Sequence, residues 1–127
     1  MAFLLDTHTF LWFAAGDKQI PKSSVSLIED SKQLCYLSIA SLWEFTIKVQ
    51  TGKLLIAPDL KELIRVAEEN NIELLSITPS HLETLSTLPF HHRDPFDRII
   101  FAQAISENLT LISRDKIAKN YKVKVVW

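Results

Sequence analysis

The sequence predicts an α/β fold in which helices cover both faces of a parallel sheet of about five short strands. Two observations carry this. Short, largely apolar runs recur at residues 3–5, 34–37, 72–77, 109–112 and 123–126, without the sustained period-two alternation of a sheet wetted on one face. Segments with helical apolar spacing separate them, as crossovers between parallel strands require.

The first run ends at Asp6. Residues 9–15 place Phe10, Phe13 and Ala14 at helical spacing, and Gly16 suits the left-handed position after a helix. Pro21 suits the first position of a second helix carrying Val25, Leu27 and Ile28. After the second strand, Ser38 is a helix cap for a segment reaching about Gln50, and Gly52 stops it. Residues 59–70 are amphipathic, with Leu60, Leu63, Ile64 and Ala67 on one face. Thr78-Pro79 opens a helix with Leu82, Leu85 and Leu88. Asp94-Pro95 opens another, with Phe96, Ile99, Ile100, Ala102 and Ala104.

The chain has 127 residues, the size of one domain, expected to span 1–127 without a linker or repeat. Hydrophobic residues make up 47% and the mean hydropathy is +0.11, which excludes a largely disordered chain. The single cysteine, Cys35, rules out an internal disulfide and a thiolate zinc cluster. No basic leader precedes Asp6, and no apolar run approaches the roughly 20 residues of a membrane span. A soluble cytoplasmic protein without membrane contact is the expectation. With two glycines, glycine-rich phosphate loops are absent.

In open α/β sheets, sites form beyond the carboxyl ends of the strands. Asp6 ends the first strand, and Ser113-Arg114-Asp115 follows the fourth. Asp94 and Asp97 open the helix before it. Glu44 lies in an otherwise apolar stretch. Singly, each has a structural explanation. Asp6, Asp94 and Asp115 are good helix caps, Asp97 suits the first turn, and Glu44 can pair with Lys48 at i+4. Together, like charges on one rim raise each other's pKa and need a compensating charge. Carboxylate oxygens without clustered Cys or His suit Mg²⁺ or Mn²⁺. The chemistry such a site performs best is phosphodiester hydrolysis. Arg98, Arg114 and Lys116 lie beside the acids and are candidates for phosphate contacts.

The segments Leu4-Leu5-Asp6-Thr7-His8, Ser41-Leu42-Trp43-Glu44-Phe45 with Lys48, the run from His91-His92-Arg93-Asp94-Pro95-Phe96-Asp97-Arg98 to Ala104, and Ser113-Arg114-Asp115 resemble PIN-domain proteins in order and spacing. Within that group the chain is similar to the VapC toxins of type II toxin–antitoxin systems over nearly its whole length. The resemblance implies a three-layer α/β/α sandwich and a Mg²⁺- or Mn²⁺-dependent endoribonuclease. It also implies a homodimer and a small VapB-like antitoxin that blocks the site. It matches Asp6, Glu44, Asp97 and Asp115 to a catalytic, metal-holding acidic quartet. Asp94 is an additional acid, its first role capping. Thr7 and Ser113 match polar positions that hydrogen-bond and orient the ligands.

His8, His81, His91 and His92 form no recognisable nucleophilic arrangement, and His91-His92 read as surface loop or substrate contact. Trp12 and Trp43 read as core or dimer packing, and Leu11, Trp12 and Phe13 as dimer or antitoxin surface. Cys35 reads as a small buried hydrophobe. A receiver module would need an acid pair after the first strand and an Asp after the third, where the chain has Thr78-Pro79. A dehalogenase-like phosphatase would need Asp where His8 stands. A catalytically inactive PIN fold that only binds protein is the serious alternative.

The formal charge of −1 hides an asymmetry. Residues 1–90 hold seven Lys or Arg against eleven acids, and residues 91–127 hold seven against four. An acidic pocket beside a basic C-terminal third is compatible with an RNA partner held at the rim of the site.

Overall fold

A computed structural model of the chain describes residues 1–54 and 57–127. The elements follow as β1 (Ala2–Leu5), α1 (Thr7–Ala15), α2 (Lys22–Glu29), β2 (Leu34–Ser38), α3 (Ile39–Gln50), α4 (Leu60–Glu69), β3 (Ile72–Leu75), α5 (Pro79–Thr87), α6 (Pro95–Ser106), β4 (Thr110–Ile112), a 3₁₀ helix (Lys116–Tyr121) and β5 (Val125–Val126). The five strands lie in the order β3-β2-β1-β4-β5, every described pairing parallel.

Alternate residues of the central strands feed two cores. Phe3 and Leu5 of β1 pack with Phe10 of α1, Ile28 of α2, Phe45 of α3 and Leu63 of α4. Leu4 faces the other way, toward Ile100 and Phe101 of α6, Leu111 and Tyr121. Both faces of the sheet's centre are therefore dry, which is why β1 reads as an unbroken apolar run, whereas the edge strand β3 exposes Glu73 and Leu74.

Side-chain caps set several helix starts. Asp6 accepts from the Thr9 amide, Ser38 from that of Ala40, and Asp94 from those of Phe96 and Asp97. Thr78 and His81 form a reciprocal capping box, with His81 Nδ1 accepting from the Thr78 amide. Gly16 ends α1 at φ 65°, a conformation that costs other residues.

The structure differs from the sequence expectation in several places. Pro21 stands just outside α2 as its cap, with extended ψ of 148°. β3 stops at Leu75, because the Ser76 carbonyl accepts from Gln103 and Thr78 begins the next cap. β5 starts at Val125, behind the left-handed Lys122 and a 3₁₀ helix that apolar spacing does not foretell. Trp43 is not core. It is 58% exposed and meets Phe96 edge-on at 5.1 Å between ring centroids. Leu11, Trp12 and Phe13 are partly buried against the first core.

Candidate active site

The sheet reverses direction of growth between β1 and β4. From β1 the chain adds β2 and β3 to one side, then returns to place β4 and β5 on the other. The crossovers leave in opposite directions there, so a crevice opens beyond the strand ends. Leu5 pairs with Ile112, so the residues that follow them, Asp6 and Ser113, stand side by side. The Asp6 amide donates to the Ile112 carbonyl and the Thr9 hydroxyl donates to the same oxygen, fastening α1 across the two strand ends.

A cavity of about 310 Å³ fills the crevice, lined by Asp6, His8, Trp12, Asp97, Arg114 and Asp115. Each carboxylate is tethered through one oxygen or both. Asp6 Oδ1 accepts from the Thr9 amide and Oδ2 from the Ser113 hydroxyl. Ser113 Oγ in turn accepts from the Asp115 amide at 2.9 Å, so one buried hydroxyl links two acids. Asp115 Oδ1 accepts from the Ile117 amide, capping the 3₁₀ helix. His92 Nε2 lies 2.9 Å from Asp97 Oδ2 and 3.5 Å from Asp115 Oδ2.

Glu44 lies deeper, on α3, and is 5% exposed. Its Oε2 meets Lys48 Nζ at 3.1 Å, the pairing expected of a solvated face, yet the acid itself is buried. Its Oε1 has no hydrogen-bond partner among the described residues. An orphaned buried carboxylate oxygen costs free energy unless something else meets it.

Electrostatics agree with that reading. Burial, then the charge of Asp94, and further Glu44 and Asp6, push the Asp97 carboxyl from 3.8 up to about 7, against the opposing pull of His92. One ring nitrogen of His92 and one carboxylate oxygen each of Asp97 and Asp115 all lie within 4.8 Å of one another. Asp6 and Glu44 stand outside that cluster but within electrostatic reach of Asp97. A hard donor set, an orphaned oxygen and a carboxyl destabilised by like charge fit a divalent cation. They suit Mg²⁺ or Mn²⁺ better than a softer metal.

The capping and clustering readings of the acids turn out to be compatible. Asp6, Asp94 and Asp115 all cap helices, and two of them also line the cavity. Asp94 Oδ1 accepts from both Phe96 and Asp97 amides, so capping is its observed role.

Two expectations are corrected. The Thr7 hydroxyl donates to Ser41 Oγ at 3.0 Å instead of to a site acid, because Thr7 on α1 faces α3. Arg98 is not free to meet phosphate. It is 7% exposed, and its guanidinium donates to the carbonyls of Leu88, Pro89 and His92 and to Tyr121 Oη, with Phe90 stacked 4.1 Å away. One helical step of about 100° separates it from Asp97, enough to face the preceding loop instead of the cavity. Arg114 and Lys116 are exposed, and Arg114 lies 4.7 Å over the Trp12 ring at the cavity mouth.

His92 stands beside two of the site acids, where its sequence context reads as surface loop or substrate contact. The local run His-His-Arg-Asp-Pro-Phe-Asp was the available signal, since it puts imidazoles shortly before two of the acids.

With this arrangement in view, known proteins decide the family. A PIN domain family model matches residues 3–124. The chain belongs to the PIN domain family. Ribonuclease VapC22 of Mycobacterium tuberculosis is 29% identical over 121 residues, covering 94% of this chain and 91% of that protein. Among solved structures, VapBC2 from Rickettsia felis bound to a promoter DNA fragment aligns with TM-score 0.74 and 14% identity, covering 99% of this chain and 98% of that one. VapBC-1 from nontypeable Haemophilus influenzae aligns with TM-score 0.68 and 17% identity, covering 99% and 97%. At such identities the structural matches establish a shared PIN fold. No helix among the described residues is long and apolar enough to cross a membrane.

Proposed function

We propose that this PIN-domain chain, acting as a single domain over residues 1–127, is a divalent-metal-dependent endoribonuclease. Its setting would be the cytoplasm, as the toxin of a type II toxin–antitoxin pair. The observation that carries the chemistry is the gathering of acids at the β1/β4 crevice, with an orphaned oxygen on Glu44 and the Asp97 carboxyl raised to about 7. Asp6, Glu44, Asp97 and Asp115 would hold Mg²⁺ or Mn²⁺. When bound, such an ion polarises a phosphate and acidifies a water for in-line hydrolysis.

The protein's own groups supply the rest. Ser113 holds Asp6 and Asp115 in register. Asp94 keeps the start of α6, and with it Asp97, at the cavity wall. Arg114 and Lys116 offer charge to the RNA backbone, while Trp12 and His8 present aromatic surface beside the acids. Their rings lie 5.7 Å apart. Cationic and aromatic groups beside a carboxylate pocket suit a single-stranded RNA whose bases stack.

One relative is named a ribonuclease, and several structural neighbours are named VapBC, one of them as a member of the VapBC family of toxin-antitoxin systems. By that relation we assign this chain a small antitoxin partner and a homodimeric state.

The test is purified protein on total RNA with Mg²⁺, Mn²⁺ or EDTA, beside Asp6→Asn, Asp97→Asn and Asp94→Ser. The first two should abolish cleavage, and Asp94→Ser should keep most of it through serine's own capping ability. Equal cleavage by wild type, Asp6→Asn and Asp97→Asn would sink the assignment. Metal binding without cleavage of any RNA would favour a protein-binding module.

A further inference from the structure

We propose that His92 is a positioning residue of the metal site, an N–H donor that aims the Asp97 and Asp115 carboxylates without itself binding the ion. The inference rests on the metal-dependent reading above.

The tautomer follows from geometry. The Asp94 amide donates to His92 Nδ1 at 3.2 Å. A neutral imidazole carries one N–H, so a ring accepting at Nδ1 bears its proton on Nε2. That nitrogen lies 2.9 Å from Asp97 Oδ2 and 3.5 Å from Asp115 Oδ2. With Nδ1 occupied as an acceptor and Nε2 protonated, the ring has no free lone pair to ligate a cation. It can only donate to the carboxylates.

The fold invests buried groups in placing this ring. The His92 amide donates to Tyr121 Oη, a phenol at the end of the 3₁₀ helix. The His92 carbonyl accepts from Arg98, which also gathers the carbonyls of Leu88 and Pro89. On the other side the ring meets Phe101, 6.1 Å between centroids. Backbone, ring edge and ring neighbour are thus fixed from α6 and from the segment after β4. Those same two segments carry Asp97 and Asp115. His92 therefore joins two acids contributed by separate parts of the chain. Arg98, buried beside the site without lining it, acts through His92.

The experiment is titration of untagged, full-length metal-free protein with Mn²⁺, followed by calorimetry, for wild type, His92→Ala, His92→Gln and Asp97→Asn. Thermal melts in EDTA and the echo-detected nitrogen couplings of bound Mn²⁺ are recorded alongside. His92→Ala should weaken Mn²⁺ binding about 10- to 100-fold, as loss of a group that orients ligands does. His92→Gln, which keeps an N–H donor, should recover most of that loss. Bound Mn²⁺ should show no imidazole nitrogen coupling. Three results overturn the proposal: unchanged Mn²⁺ affinity in His92→Ala, His92→Gln as impaired as His92→Ala, or an imidazole nitrogen coupled to the ion. If wild type and Asp97→Asn both fail to bind Mn²⁺, the metal site itself is refuted, and the role of His92 falls with it.

Discussion

In the metal-free protein, neutralising Asp97 should stabilise the fold. The folded state pushes this carboxyl from 3.8 up to about 7, chiefly by burial and by the nearby charge of Asp94, with Glu44 and Asp6 adding to it and His92 opposing. A proton held more tightly in the folded than in the unfolded chain stabilises below the unfolded value. That contribution is lost as pH rises through the folded value. Above about pH 7 the wild type therefore carries the whole penalty of an ionised Asp97, at most about 4 kcal/mol. Two effects reduce it. The side chain is about one-quarter exposed, so solvent screens part of the repulsion. The Asp97→Asn variant would also bury an amide group in place of the carboxyl, and leaving it incompletely paired costs about 1–3 kcal/mol. A net gain of about 1–2 kcal/mol remains, or a rise of about 3–8 °C in Tm for a chain of this size. The assay is differential scanning calorimetry of wild type and Asp97→Asn in EDTA, at about pH 8 and again at about pH 5. The mutant should melt higher at the alkaline end, and the gap should close in acid. Adding Mn²⁺ should reverse the order, because the ion stabilises a protein that binds it in proportion to occupancy. A mutant less stable than wild type in EDTA at about pH 8, or a gap indifferent to pH, would refute the electrostatic argument.

Other outcomes follow from the same geometry. Ser113→Ala should cost about 1–3 kcal/mol, since it strips a buried hydroxyl from Asp6 and from the Asp115 amide. Chemical denaturation measures that loss, and a cost near zero would contradict the linkage. Arg98→Ala and Arg114→Ala should separate cleanly. The first should lower Tm through the freed carbonyls of Leu88, Pro89 and His92, while the second should leave Tm unchanged and weaken single-stranded RNA binding in EDTA. Finally, Cys35, whose thiol is pushed up to about 11 by burial and by Asp30, should resist alkylation in the folded protein. Modification at mildly alkaline pH before unfolding would show the thiol to be more accessible than its position in β2 implies.

The fold was legible because its determinants are local. Apolar runs mark strands buried on both faces, and Asp6, Ser38, Thr78 and Asp94 mark helix starts through bonds to amides two or three residues away. The 3₁₀ helix escaped, being only about two tight turns behind Asp115 with weak apolar spacing. For Trp43 only the core half of the core-or-dimer expectation fails, because an apolar stretch does not reveal which of its residues faces solvent.

The candidate acids were also legible, since Asp6, Glu44, Asp97 and Asp115 are out of character beside strand ends or in apolar surroundings. Their second contacts were not. Thr7 and Ser113 look alike in sequence, each a hydroxyl close to an Asp. Only Ser113 reaches a carboxylate, because Leu5 pairs with Ile112 across the sheet while Thr7 faces α3. Arg98 looks like a phosphate contact from its neighbours, yet helix phase turns it toward carbonyls as much as ten residues earlier.

The sequence by itself therefore determined the layered α/β architecture, the metal-compatible chemistry and the PIN resemblance. These depend on residue type and short-range spacing. Tertiary structure decided which oxygens are tethered, which one on Glu44 is orphaned, and that His92 bridges two acids. Those relations join segments separated in the chain, and strand register and helix phase set them.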